Sequence, residues 1–286
     1  MRGRFAPSPT GVLHLGNLRT ALLAWLFARS AGSEFLVRVE DLDVGRVRAG
    51  FAERQLADMA LLGLDWDGEV VWQSGRTALY EAAVSKLPVY ECFCTRAEIA
   101  SAASAAHGPV GAYPGTCLAL SDEDRAARRA AGRSPALRVR AGNERVAFVD
   151  RVLGPQEGVV DDFVVRRNDG AFAYNLAVVV DDGAQGIEEV VRGADLVDST
   201  PRQIWLARRL GYPELSYAHV PLVLGPDGRR LAKRHGDVTL REVPVDVALA
   251  WMGASLGLVG TTPREMLAGF EAGSVSREPT VFAGAG

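Results

Sequence analysis

The chain has 286 residues, 48% hydrophobic and 23% charged, enough to bury a substantial core as one large domain or two smaller ones. A net charge of −3 and only three cysteines give neither the basic excess of a typical nucleic-acid binder nor a disulfide framework, although a local basic face is still allowed. Met1 to Phe5 lacks the order of a secretion signal, and no apolar run approaches the roughly 18 residues of a membrane span, so a reduced, cytoplasmic location away from membranes is expected.

Residues 4 to 8, RFAPS, predict a short strand running into a Pro-Ser-Pro-Thr-Gly loop. Leu18, Ala21, Leu22, Trp25 and Leu26 then fall on one face of a strongly amphipathic helix from about Asn17 to Ala31, with Gly32 in the capping position. EFLVRVED, residues 34 to 41, alternates as a strand and completes a β-loop-α-β unit suited to a parallel sheet. A second helical pattern runs from Val47 to Leu62 and ends at the turn GLDWDG. From Lys86 to about Asp150 the composition changes, with cysteines, an Ala/Ser/Gly-rich segment and an arginine-rich stretch; this reads as an insertion between two halves of one α/β core.

The second half resumes at AFAYNLAVVVDD, residues 171 to 182, apolar enough for a buried strand. IEEVVRG predicts another strand, and DSTPRQIWLARRLG a helix with Thr200 as cap, Pro201 first and Gly211 as terminator. HVPLVL and the turn GPDG lead into RRLAKRHG. The last ~35 residues predict a small helical extension ending in a Gly/Ala tail without order.

Two segments carry chemistry. A loop after the first strand of a parallel sheet, opening a helix, is where phosphates bind, yet RFAPSPTGVLHLGN contains neither a dinucleotide fingerprint nor a P-loop. It offers His14 and Asn17 at the helix start, with Gly11 and Gly16 allowing close backbone approach. The second segment is RLAKR, residues 230 to 234. Of the 32 basic residues only Lys86 and Lys233 are lysine, and a lysine in so arginine-biased a chain suggests a need for a compact ammonium.

These segments resemble the class I aminoacyl-tRNA synthetases. His14-Leu15-Gly16-Asn17 is similar to their His-Ile-Gly-His signature, RLAKR to their Lys-Met-Ser-Lys-Ser loop with Ala232 in place of a serine, and the flanking RFAPSPTG looks like the glutamyl branch. The resemblance implies a Rossmann-like parallel α/β sheet: residues 1–85 as the first half of the catalytic domain, 86–150 as a zinc-bearing insertion, 151–215 as the second half, and 216–286 as the mobile loop with a short helical extension. It implies ATP binding by His14, Gly16, Asn17 and Lys233, with His14, Asn17 and Lys233 catalytic. It places the glutamate pocket on Arg4, Phe5, Ala6, Pro7, Ser8, Glu40, Tyr174 and Arg192, with Glu40 on the substrate ammonium and Arg4 or Arg192 on its carboxylates, since a buried carboxylate needs a cation.

So little chain follows Lys233 that no separate anticodon-binding domain is expected, which points to the stand-alone paralogues, the glutamyl-Q tRNA(Asp) synthetases. What the resemblance then implies is activation of L-glutamate with Mg2+ and ATP, without tRNA, and transfer to the queuosine base in the anticodon of tRNA(Asp), by a monomer. Other readings share these residues: a truncated conventional glutamyl-tRNA synthetase, a non-catalytic glutamate- or RNA-binding paralogue, or an adenylate-forming enzyme acting on a small molecule. His14, Lys233 and Arg192 argue against the non-catalytic reading, and RFAPSPTG and RGAD against the small-molecule one.

The cysteines, Cys92, Cys94 and Cys117, form a C-x-C pair and a distant third, a zinc pattern in a reducing compartment. Ligand chemistry favours His107 as fourth donor, because imidazole binds zinc commonly and phenolate rarely. The family resemblance implies Tyr113 instead, in Tyr113-Pro114-Gly115-Thr116-Cys117, giving one closed structural Zn2+ site on Cys92, Cys94, Tyr113 and Cys117.

Overall fold

The computed structural model describes residues 2–95, 97–99, 113–231 and 238–283; Lys233, Ala232 and His107 lie outside the described residues. The chain opens with β1 (Arg2–Phe5), α1 (Leu15–Ser30) and β2 (Glu34–Val39), followed by α2 (Phe51–Leu61), β3 (Val71–Trp72) and α3 (Thr77–Val84). Next come β4 (Val89–Cys92), α4 (Asp122–Ala130), β5 (Ala136–Val139), the hairpin of β6 (Glu144–Asp150) and β7 (Gly154–Val160), and β8 (Val164–Arg166). The second half holds α5 (Tyr174–Ala184), β9 (Glu189–Gly193), α6 (Thr200–Leu210), β10 (Ser216–Val220) and β11 (Val223–Leu224). α7 (Val245–Ser255), α8 (Pro263–Leu267) and β12 (Thr280–Val281) close it.

The main sheet has the order β3-β2-β1-β9-β10-β6-β7. Its pairs are parallel except the β6/β7 hairpin. From β1 the chain builds first toward β2 and β3, then returns to add β9 and β10 on the other side. The strand order therefore reverses between β1 and β9, and a crevice opens at their carboxyl ends, where open α/β sheets bind ligands. β4, β5 and β8 form a separate antiparallel sheet.

Two expectations are corrected. The run from residue 171 to 182 is not a strand: Tyr174–Ala184 is a helix, and Leu176 to Asp182 are all buried. A helix enclosed on every side has no polar face, so it shows no helical period, and its three consecutive valines imitate a strand. α1 is likewise less one-sided than its pattern predicts. Leu23, Ala24, Phe27 and Ala28 are buried as well, because α1 packs on β1, β2 and β9 with one side and on α8 with another.

Smaller differences have local causes. Ser199 precedes α6, Thr200 is its first residue, and the Thr200 hydroxyl is drawn into the site instead of capping. Gly211 does terminate the helix, in the left-handed conformation at φ 74°. Within the last ~35 residues Phe282 packs edge-on against Trp251 with ring centroids 5.1 Å apart while β12 pairs with β11; Gly284 to Gly286 of the Gly/Ala tail lie outside the described residues. Among the described residues no helix is long and apolar enough to cross a membrane.

Candidate active site

The crevice at the β1/β9 reversal is a cleft of 640 Å³. β1 and the loop after it contribute Arg4, Phe5, Ala6, Pro7 and Ser8; the start of α1 contributes His14, Gly16 and Asn17; Glu40, Tyr174 and Arg192 come from the ends of β2, α5 and β9. Every ATP- and glutamate-site residue named from the sequence, apart from Lys233, thus lines one cavity. Arg46 and Gln55, which the sequence reading did not single out, line it too, as do Asp195 of the RGAD segment and Arg230 of RLAKR, to which it gave no role. Gln55 fixes the loop by donating to the carbonyls of Ser8 (3.0 Å) and Gly11 (2.7 Å); nothing in its own sequence context marks that contact.

His14 is the N-cap of α1 in a reciprocal box. Its Nδ1 accepts from the Asn17 amide at 3.2 Å, and the Asn17 side chain accepts from the His14 amide at 3.3 Å. The capping bond fixes the tautomer, leaving the proton on Nε2. Burial, with the nearby Arg230 cation adding to it, lowers the imidazole to a pKa of about 4, so near neutrality His14 is an uncharged donor. A Cβ at Gly16 would stand 3.1 Å from the His14 ring and 3.2 Å from Val223, tighter than ordinary contact, so a side chain there would press on this ring. Arg230 itself pairs with Asp195.

Beneath the cleft lies a buried ion network. Asp181 and Asp182 project from α5; Asp182 accepts from Arg4 at 3.2 and 3.3 Å and from Arg38 at 2.8 Å. Asp181 accepts from Arg76 at 2.6 Å and from Gln73 and Tyr80 at 2.8 Å each. Although burial opposes its charge, the Arg4 and Arg38 guanidiniums hold the Asp182 carboxyl below its ordinary range. Glu40 sits above this network, 3.5 Å from Arg38, with 8% of its side chain exposed. Burial dominates there and raises its carboxyl from 4.5 to about 6 despite Arg38 and Arg4.

Arg192 is 5% exposed but surrounded by neutral acceptors. It donates to Gln203 at 2.7 Å, Thr200 at 2.8 Å, His219 at 3.0 Å and the Tyr174 hydroxyl at 3.4 Å. None of these carries a negative charge, so the guanidinium is fixed in direction with its charge unspent. Tyr174 keeps its hydroxyl near Arg192 while 39% of the residue stays exposed.

The cysteine cluster forms a second centre. The three sulfurs lie within 4.8 Å of one another, Cys94 and Cys117 at 3.4 Å. The Tyr113 hydroxyl is 3.4 Å from Cys92 Sγ and 3.8 Å from Cys94 Sγ. A tetrahedral zinc with Zn–S bonds of about 2.3 Å needs sulfurs about 3.8 Å apart and a phenolate oxygen slightly closer, so this donor set fits zinc. Backbone amides of Phe93 and Cys117 point at Cys117 Sγ and the Tyr113 oxygen, and the Arg138 guanidinium stacks 3.7 Å over the Tyr113 ring. Burial, reinforced by the neighbouring sulfurs, pushes the Cys94 thiol up to about 12, a cost that a divalent cation reverses.

Residues 1–277 match the family described as tRNA synthetases class I (E and Q), catalytic domain. The chain is 59% identical over 289 residues to a glutamyl-Q tRNA(Asp) synthetase of Nocardia farcinica, covering 98% of this chain and 92% of that one. It is 47% identical over 304 residues to the glutamyl-Q tRNA(Asp) synthetase of Symbiobacterium thermophilum, covering 97% and 94%. Among solved structures, a glutamate-tRNA synthetase from Elizabethkingia anophelis superposes with a TM-score of 0.85 at 26% identity, over 99% of this chain and 68% of that one. The chain therefore belongs to the class I glutamyl and glutaminyl tRNA synthetase catalytic-domain family and, within it, to the glutamyl-Q tRNA(Asp) synthetases.

Proposed function

We propose that the protein activates glutamate with ATP, without tRNA, and transfers the glutamyl group to queuosine in the anticodon of tRNA(Asp). The observation that carries the reading is the pairing of an unspent buried cation, Arg192, with a buried carboxylate, Glu40, across a cleft that also holds the His14–Asn17 helix start. An amino acid bearing a carboxylate side chain matches that arrangement. Arg4 is already engaged by Asp182, so Arg192 is the better partner for a substrate carboxylate, and Glu40 receives the ammonium.

In this mechanism the glutamate α-carboxylate attacks the α-phosphorus of ATP, forming a C–O–P link and expelling pyrophosphate. A hydroxyl of the queuosine ring then attacks the acyl carbon, and AMP leaves. No protein nucleophile takes part. His14 donates a neutral N–H to the phosphate oxygens, Lys233 supplies positive charge to them, and catalysis consists of positioning and stabilisation of developing charge. Cys92, Cys94, Tyr113 and Cys117 would hold a zinc ion whose contribution is a structural cross-link.

The test is charging with labelled glutamate of tRNA(Asp) carrying queuosine beside the same tRNA lacking it. Label on the first alone is expected; equal label on both, or label only on tRNA(Glu), overturns the reading.

A further inference from the structure

We infer that His219 and Asp150 are positioning residues for the glutamate pocket: the Asp150 carboxylate fixes one imidazole tautomer of His219, whose bare nitrogen then holds Arg192 toward the substrate carboxylate. This rests on the functional reading above and extends it one strand deeper into the sheet.

Arg192 on β9 and His219 on β10 are register partners, and Asp150 ends β6, the next strand over. His219 is 0% exposed and Asp150 2%. Asp150 Oδ2 lies 2.6 Å from His219 Nδ1, and His219 Nε2 lies 3.0 Å from Arg192 Nε. A guanidinium nitrogen can only donate, so Nε2 must accept and the ring proton belongs on Nδ1, aimed at Asp150. The opposite tautomer would set N–H against N–H and leave the carboxylate facing a bare ring nitrogen.

Both ends of this chain are held. Asp150 also accepts from the amides of Val152 and Leu153 at 2.9 Å and of His219 at 3.1 Å, which fixes the carboxylate. The Tyr217 ring lies nearly parallel to the imidazole, at 8° with centroids 6.2 Å apart. The charged groups around His219 are Asp150 on β6, Arg192 on β9 and Arg4 on β1. A carboxylate in direct contact with Arg192 would compete with the substrate for its charge. Placing Asp150 behind a neutral imidazole sets direction without that competition.

The test uses His219→Leu, which removes the acceptor, and His219→Gln, which offers an amide oxygen in its place, in glutamate-dependent ATP–pyrophosphate exchange. KM for glutamate should rise at least about tenfold in His219→Leu, with KM for ATP within about twofold of wild type, and His219→Gln should recover most of the loss. An unchanged KM for glutamate in His219→Leu, equal losses in both variants, or a parallel rise in KM for ATP overturns the inference. A nitrogen-15 histidine spectrum of wild-type protein, with His219 assigned by the signal missing from His219→Gln, decides the tautomer independently of activity. Nδ1–H with bare Nε2 is expected, and Nε2–H refutes it. Wild-type protein without glutamate-dependent exchange defeats the functional reading, while the tautomer still decides the geometry.

Discussion

Replacing Glu40 with glutamine should make the protein more stable and far less able to bind glutamate. Burial raises the carboxyl from 4.5 to about 6, so the folded state binds a proton more tightly than the unfolded chain. That contribution is fully present below pH 4.5 and is lost as pH rises through about 6. At pH 8 the folded protein therefore carries a buried charge that costs about 2 kcal/mol relative to a neutral isostere. Urea unfolding at pH 8 should show Glu40→Gln more stable by about that amount, the difference vanishing by about pH 4.5. Calorimetric titration should show glutamate affinity lower by about 100-fold or more, because the ammonium loses its counter-charge. In wild type, affinity should fall as pH drops below about 6, since the protonated carboxyl no longer attracts the ammonium. Glu40→Gln being less stable at pH 8, or keeping its advantage at pH 4.5, would refute the reasoning.

Other substitutions separate the remaining parts. Gly16→Ala puts a methyl 3.1 Å from His14 and should cut pyrophosphate exchange about tenfold with stability changed by less than about 1 kcal/mol, as read by exchange kinetics and a melting curve. Lys233→Ala should abolish glutamate-dependent pyrophosphate exchange, and retained exchange would remove Lys233 from the mechanism. Arg192→Lys should raise KM for glutamate by about tenfold or more, since an ammonium cannot occupy all the acceptors around the guanidinium. Metal analysis should find about one zinc per chain, lost in Cys117→Ser and Tyr113→Phe and kept in His107→Ala; zinc kept by Tyr113→Phe and lost by His107→Ala would transfer the fourth position to His107.

What the sequence revealed follows from the range of each interaction. β1, the loop after it, α1 and β2 form one local unit, and its alternation, turn residues and helix signals lie within forty residues of one another. The site residues on that unit are accordingly readable. α5 was not, because burial on all sides removed the periodicity that distinguishes a helix from a strand. Gln55, Gln203, His219 and Asp150, and the contact of Thr200 with Arg192, were missed for another reason. Each acts through a partner brought close by folding, as Asp150 is to His219, and none stands in a local pattern that anticipates the contact. Resemblance marked Arg192 without saying what surrounds it.

Those surroundings set Arg192 apart from the arginines of the ion network beneath the cleft. Arg4, Arg38 and Arg76 are paired with Asp181 or Asp182 at 2.6 to 3.2 Å, so their charge is spent joining β1, β2 and the approach to α3 to α5. Breaking one of these pairs leaves an uncompensated buried charge and should cost about 3–5 kcal/mol. Arg192, oriented by neutral Gln203, Thr200, His219 and Tyr174, has no ion-pair partner among the described residues and meets its counter-ion in the ligand. Its desolvation cost is borne in the empty protein and relieved on binding, which makes the site selective for a carboxylate. An amide of the same shape would leave Arg192 without a counter-ion, so discrimination against glutamine follows from the charge balance of the folded protein.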